Sequence, residues 1–279
     1  MMKTNEENDL NEKELESEVK FNPPLYIQRY QFVFDLLNKN SHLVTKIADF
    51  GAAEGKIMRR FKRLSNVEEI ALIDCDEYSL EICSLEARPL VYDYLFSERL
   101  IEMTVNVYNG SVAQRDSRLL GYDVITCIEL IEHLKDEVLV ALPDNIFGFI
   151  CPKFVIITTP NSEYNVMFSQ LKCGQFRHWD HKFEWNRQQF TNWCQTIVNR
   201  YPNYTYELTG VGEPPICRKD IGFCTQIAIF TRFQSNECPN EINVCEDYNN
   251  NYKLIETFKY PMNKNNKTES QTYVDWPTV

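Results

Sequence analysis

Short apolar runs alternate with amphipathic stretches from about residue 21 to residue 233. Lys46–Phe50 (KIADF), Glu69–Ile73, Met103–Val107, Tyr122–Cys127 (YDVITC) and Phe154–Thr158 read as buried strands, short and rich in β-branched or aromatic residues. Helical periodicity marks LYIQRYQFVFDLL after Pro23-Pro24, where proline suits a helix start, and also Lys56–Leu64, 136–149 and 187–199. A long polar loop is expected over 160–184, and YTYELTG and FCTQIAIFTRF close the domain as β-rich segments. Strands alternating with helices predict a Rossmann-like α/β fold, a mainly parallel seven-stranded sheet with helices on both faces.

The flanks have a different texture. Residues 1–20 are polar and acidic and are expected to be disordered; from 234 the chain turns Asn-rich, and a flexible tail is expected over 234–279, with LIETF (254–258) patterned as a short element. The domain itself should then span 21–233. No apolar run is long enough for a bilayer, and the charged N-terminus lacks the apolar core of a signal peptide. Ten cysteines occur singly with no CxxC pair, which points to reduced thiols in a cytoplasmic protein. The net charge of −11 includes −4 on residues 1–20 and −3 on 234–279, leaving −4 on the body. That balance argues against tight grip along a long duplex and leaves room for brief contact with one nucleic-acid end.

In such a sheet, ligands bind beyond the carboxyl ends of the strands. ADFGAAEG lies there, with Asp49 ending a strand before Gly51. Gly51 alone reads equally as a turn residue or as a cofactor contact. Asp74 ends the next strand about 20 residues on, placed to accept hydrogen bonds from ribose hydroxyls. The turn departs from GxGxxG, and Glu54 within it would sit badly against a pyrophosphate, so S-adenosyl-L-methionine is favoured over NAD. Ser111, in NGSV after the third strand, is a candidate for the adenine edge, although a loop serine is commonly only a turn residue.

Glu129-Leu-Ile-Glu132-His133 follows the fourth strand; a helical turn would put both carboxylates and the imidazole on one face. Burying two carboxylates without a counter-ion costs several kcal/mol (about 2–7 per unpaired polar group), which a divalent cation would remove. A solvated helix start is the rival reading. A second cluster, Arg177-His178-Trp179-Asp180-His181, holds two of the four histidines. Two glutamates, His133 and one histidine of this cluster would give mixed O/N ligands with open positions, suited to Mg²⁺ or Mn²⁺; with no cysteine present, structural zinc is disfavoured. The basic run KIMRRFKR (56–63) reads as the solvated face of a helix with Ile57, Phe61 and Leu64 inward.

Together, FNPPLYIQRYQFV (21–33), GSVAQRDSRLLGYDVITCIELIEHL (110–134), TPNSEYN (159–165), DHKFEW (180–185), GVGEPP and GFCTQIAIF resemble the small-RNA 3′-terminal 2′-O-methyltransferases, in particular the animal enzymes acting on piRNAs. These stretches cover most of 21–233. The resemblance implies a class I S-adenosylmethionine-dependent methyltransferase fold, metal ligands Glu129, Glu132, His133 and His181, and cofactor contacts at Asp74 and Ser111. It also implies RNA-end contacts at Phe21, Pro23, Pro24 and Arg177, and a possible Piwi/Argonaute-type protein presenting the RNA. A monomer is expected, in the cytoplasm with perinuclear or germ granules included. The turn departs from the family, GAA standing where many members have GCG, which puts the contact at Ala53 in doubt.

The mechanism so implied has a cation engage both hydroxyls of the terminal ribose and acidify the 2′-OH, with His178 or His133 taking the proton. Trp179, Phe183 and Trp185 could stack on bases, although the last two fit the core better. The rivals are a methyltransferase for a small molecule or protein, a non-catalytic RNA-end-binding protein, and an NAD-dependent oxidoreductase.

Overall fold

A computed structural model of the protein describes residues 19–97, 99–172, 174–233 and 250–263. Five strands are parallel: β1 (Lys46–Phe50), β2 (Glu69–Asp74), β3 (Met103–Asn109), β4 (Val124–Ile128) and β5 (Phe154–Pro160). β6 (Tyr204–Val211) and β7 (Thr225–Arg232) extend the sheet beyond β5 with antiparallel pairings, and β8 (Lys253–Tyr260) pairs antiparallel with β3. The order is β6-β7-β5-β4-β1-β2-β3-β8. The chain therefore winds one way through β1 to β3 and the other way through β4 and β5, which opens a crevice between the ends of β1 and β4.

The strands read as unbroken apolar runs because both faces of the sheet are covered. Successive residues serve opposite cores. Ala48, Phe50, Ala71, Ile73, Val155 and Ile157 point to one layer, while Ile47, Ile70, Leu72 and Ile156 point to the other. The second layer receives α1 (Leu25–Lys39), the single turn α2 (Met58–Phe61) and α3 (Glu77–Ala87); the short α4 (Val91–Leu95) follows α3. The first receives α5 (Asp136–Pro143) and α6 (Arg187–Arg200). Asn186 and Gln189 form a reciprocal capping box at the start of α6.

The sheet has eight strands where seven were expected, because the region taken for a tail contributes β8, longer than the LIETF element. The remaining expectations for a disordered 1–18 and for 234–249 and 264–279 lie outside the described residues. The helix expected over 56–64 is one turn, yet Ile57, Phe61 and Leu64 are buried as the pattern required. The helix expected over 136–149 keeps α-geometry only to Pro143. That proline lacks an amide donor, and the chain continues as a π-helical stretch, Asp144–Ile150. The loop after β5 contains a 3₁₀ segment, Ser162–Met167, and α3 and α4 were not anticipated. Seven described cysteines are free, and no described helix is long and apolar enough to cross a membrane.

Candidate active site

Two rims meet at the crevice. The first is built on the ends of β1, β2 and β3. Gly51 takes φ +73° and its N–H donates to Ile73 O (2.9 Å); a Cβ there would meet Leu130 Cδ1 at 2.8 Å. Glycine is required on both counts. The turn runs on through Ala53, itself at φ +45°, whose N–H donates to Asp74 Oδ2 (2.8 Å), and Asp76 N–H donates to Asp74 Oδ1 (3.0 Å). Each carboxylate oxygen keeps a further lone pair, so Asp74 both braces the turn and can receive a ribose hydroxyl. Gly110 N–H donates to Asp74 O (2.9 Å), which sets the Ser111 loop beside it. Asp49 is buried beneath, 3% exposed, and accepts from Thr126 Oγ1 (2.5 Å). Burial, aided by Asp74, pushes its carboxyl up to about 7. The small, strained turn flanked by Asp49, Asp74 and Ser111 fits a phosphate-free nucleoside cofactor.

The second rim is built on β4 and β5. The segment after β4 forms only a 3₁₀ turn, Ile131–His133, with Glu129 at φ +50°. Thr158 clamps Glu129 there. The Glu129 N–H donates to Thr158 Oγ1 (3.0 Å), which in turn donates to Glu129 Oε1 (2.8 Å). Arg29, from α1, pairs with the other oxygen at 3.3 Å. Glu132 is fully buried; Oε2 accepts from Thr159 Oγ1 (3.0 Å) and Oε1 has no partner. Burial, then the neighbouring charge of Glu129, drives its carboxyl well above the usual range. A buried carboxylate oxygen without a donor costs free energy unless it is protonated or meets a cation.

The loop after β5 closes over this floor, docked by Lys182 N–H donating to Glu132 O (2.7 Å). One ring nitrogen from each of His133, His178 and His181 lies within 4.8 Å of the other two. His133 Nδ1 is 3.0 Å from Asp180 Oδ2, and His181 Nδ1 is 2.7 Å from Glu184 Oε1. Carboxylates at both Nδ1 atoms fix the protons there and leave the Nε2 lone pairs for a metal. Burial and the charges of His181 and His178 lower the His133 pKa despite Asp180, favouring the neutral ring. Burial pushes Glu184 up, but bonds from His181, Asn165 and Arg177 outweigh it and hold the carboxyl below its ordinary range. His178 differs, since its Nδ1 accepts from Asp180 N–H (3.1 Å), which places its proton on Nε2.

Glu129, Glu132, His133 and His181 line one cavity of about 150 Å³, together with Leu25, Arg29, Phe168, Arg177 and Thr225. The compact imidazole trio and this four-residue wall overlap without coinciding. The donor chemistry favours the wall, because only it takes in the unsatisfied Glu132. Arg177 is fastened as well as lining. Its Nε donates to Asn165 Oδ1 (2.5 Å), Nη1 to Cys224 O (3.1 Å) and Nη2 to Asn161 O. Pro24 caps α1, Pro23 O accepts from Gln28 Nε2 (2.7 Å), and Phe21 packs against Tyr164. Trp179 is 71% exposed, whereas Phe183 and Trp185 stack on each other and pack on the core. Arg59 is exposed and pairs with Glu86, whereas the Lys62–Asp93 pair is half-buried, so the basic run is only partly a solvated face.

Sequence reasoning missed Arg29, Thr158, Thr159, Thr225 and the Glu184 brace. The one available signal was TTP at a strand end, where two hydroxyls follow an apolar run.

The fold is that of the class I S-adenosylmethionine-dependent methyltransferases, with a carboxylate–imidazole pocket added beside the cofactor turn. No protein-family model matches the chain. It is 39% identical over 267 residues to the small RNA 2′-O-methyltransferase of Drosophila melanogaster, covering 92% of this chain and 68% of that protein. It is 43% identical to the protein of the same name from Xenopus tropicalis, covering 86% of this chain and 63% of that one. The crystal structure of small RNA methyltransferase HEN1 superposes with a TM-score of 0.71 at 28% identity, over 86% of this chain and 28% of that one. The chain belongs to the small RNA 2′-O-methyltransferase family, and it spans about two thirds of the length of these two relatives.

Proposed function

We propose that the chain transfers a methyl group from S-adenosyl-L-methionine to the 2′-hydroxyl of the 3′-terminal nucleotide of a single-stranded small RNA. In this reading Glu129, Glu132, His133 and His181 hold Mg²⁺ or Mn²⁺. The observation that carries it is the buried, donorless Oε1 of Glu132 in a cavity shared with two imidazoles whose Nε2 lone pairs are available. A small-molecule or protein methyltransferase has no need of that arrangement. Similarity to relatives named small RNA 2′-O-methyltransferase supports the substrate class. Resemblance to the animal members extends it to piRNAs, presented by a Piwi-type protein in the cytoplasm.

The cofactor supplies a methyl made electrophilic by its sulfonium, and the cation supplies Lewis acidity that eases deprotonation of a hydroxyl. The chain supplies the rest. Leu130 seats against Gly51 while Glu129 and Glu132 flank the pocket, so one motif aligns the donor turn with the acceptor site. Arg29 balances Glu129. His178 Nδ1 is taken up by the Asp180 N–H, which leaves the hydroxyl proton to another acceptor. The hydroxyl proton leaves to water at the open edge, where the His133 and Asp180 side chains are 30% and 35% exposed. An O–CH₃ bond forms as the C–S bond breaks.

The test is label transfer from S-adenosylmethionine to a single-stranded RNA of piRNA length and to the same RNA with a 2′-deoxy 3′ end, with and without EDTA. Labelling of the first alone, lost with EDTA and restored by Mn²⁺ or Mg²⁺, is the expected result. Equal labelling of both RNAs would move the target off the terminal 2′-hydroxyl, and indifference to EDTA would remove the cation.

A further inference from the structure

The segment that returns to the sheet at residue 250 reaches the cofactor rim before β8 begins. Tyr252 is 3% exposed and its ring packs against Gly110, where a Cβ would come within 2.2 Å of it. Its ring also meets Phe50 and Tyr108 at centroid distances of 6.5 and 6.3 Å, beneath the ends of β1 and β3. The hydroxyl donates to Gln114 O (2.7 Å), with Ser111 O also in reach at 3.1 Å. The main chain around it is tied equally firmly. Tyr252 N–H donates to the buried Asp116 (2.8 Å) and Tyr252 O accepts from Arg118 (2.5 Å), while Asn251 Nδ2 donates to Arg115 O (2.6 Å). On the inner side Asn145 Nδ2 donates to Val112 O (2.7 Å) and Gln114 O (2.8 Å).

The loop from Ser111 to Arg115 closes its own turn through Gln114 N–H donating to Ser111 O (2.9 Å), and its Ser111, Val112, Gln114 and Arg115 carbonyls are further held by side chains from residues 145, 251 and 252. A loop so held keeps its conformation because releasing it would strand the buried Val112 carbonyl and undo the bonds to the half-buried Ser111 and Gln114 carbonyls. We propose that Tyr252 is a positioning residue of the cofactor site, holding the Ser111–Gln114 loop in the shape that receives the adenine side of S-adenosylmethionine. This rests on the cofactor reading above and adds to it that part of the site comes from beyond the expected domain boundary at 233. Tyr252 touches no reacting atom; it acts through the loop.

Tyr260, at the other end of β8, gives the control. Its side chain is equally buried and its hydroxyl donates to Ala87 O (2.9 Å), far along the strand from the rim. Calorimetric titration of the whole chain with S-adenosylmethionine would compare Tyr252→Phe, Tyr260→Phe and the wild type, alongside Tm and steady-state kinetics. Tyr252→Phe should weaken binding roughly fivefold to tenfold and raise KM for the cofactor alike, with kcat at saturation and KM for RNA within about twofold. Tyr260→Phe should lower Tm by a similar amount yet bind the cofactor as the wild type does. Unchanged affinity in Tyr252→Phe, or equal losses in both variants, would overturn the positioning role. A wild type that binds no S-adenosylmethionine would instead overturn the functional reading beneath it.

Discussion

At the end of β2, Asp74 accepts backbone N–H groups through both oxygens; at the end of β4, Glu132 accepts one hydroxyl and leaves Oε1 bare. The two rims are adjacent, joined by Leu130 against the Gly51 turn, but they are assembled on opposite terms. The cofactor rim is satisfied from within, by glycine geometry and loop amides, and stands complete before a ligand arrives. The β4–β5 rim holds a buried carboxylate oxygen with no donor, Glu132 Oε1, and in the reading proposed above a cation would complete it. A shared fold thus keeps a preformed half beside a pocket with an unsatisfied oxygen, and on the proposed reading the first half binds the common donor while the second selects the acceptor.

The largest effect that could break this contrast comes from Glu132→Gln. The substitution keeps the volume and removes the charge, so methyl transfer should fall on the order of a thousandfold. Affinity for S-adenosylmethionine by calorimetry should stay within about twofold; retained turnover would dissolve the distinction between the rims. Asp74→Ala should do the reverse. Losing a charged acceptor should weaken cofactor binding by roughly ten- to a hundredfold, with the Mn²⁺ concentration for half-maximal rate unchanged; a shift in that concentration would show the rims to be one coupled site.

The smallest effect is on the metal-free protein. The folded Glu132 carboxyl lies above its unfolded value, so its stability contribution is full below about pH 4, near the ordinary Glu pKa, and is lost as pH rises toward the folded value. In EDTA the wild-type Tm should therefore decline from about pH 5 upward, and Glu132→Gln should be the more stable of the two at pH 7 by roughly 1–3 kcal/mol. Saturating Mn²⁺ should reverse the order. A wild type more stable than the variant in EDTA would mean that the charge is already compensated within the protein.

Legibility in the sequence followed the same divide. The five parallel strands announced themselves because both faces are buried, and the ExxEH and DHKFEW segments carry unusual residue types close together. β8 showed only as the short LIETF element because it is an edge strand: of KLIETFKY only Phe258 and Tyr260 are buried, so its ends resemble the polar residues around them. α2 shrank to a turn since the chain must bend again at once toward β2. Arg29 meets a carboxylate a hundred positions away, and Tyr252 a loop more than a hundred positions before it. Such pairings are made by strand order, which no local window contains. Glu184 sat within a quoted motif, but its partner only became apparent once His181 was seen to fold back on it.

Glu129 carries a consequence for how this protein can change. Its left-handed backbone suits Gly or Asn, while the proposed cation site uses a carboxylate at that point. A population of variants screened for thermal robustness alone would drift toward glycine or asparagine there and, if Glu129 is the ligand proposed above, fall silent as enzymes. One screened for turnover would keep the awkward glutamate along with Thr158, the residue that makes it tolerable.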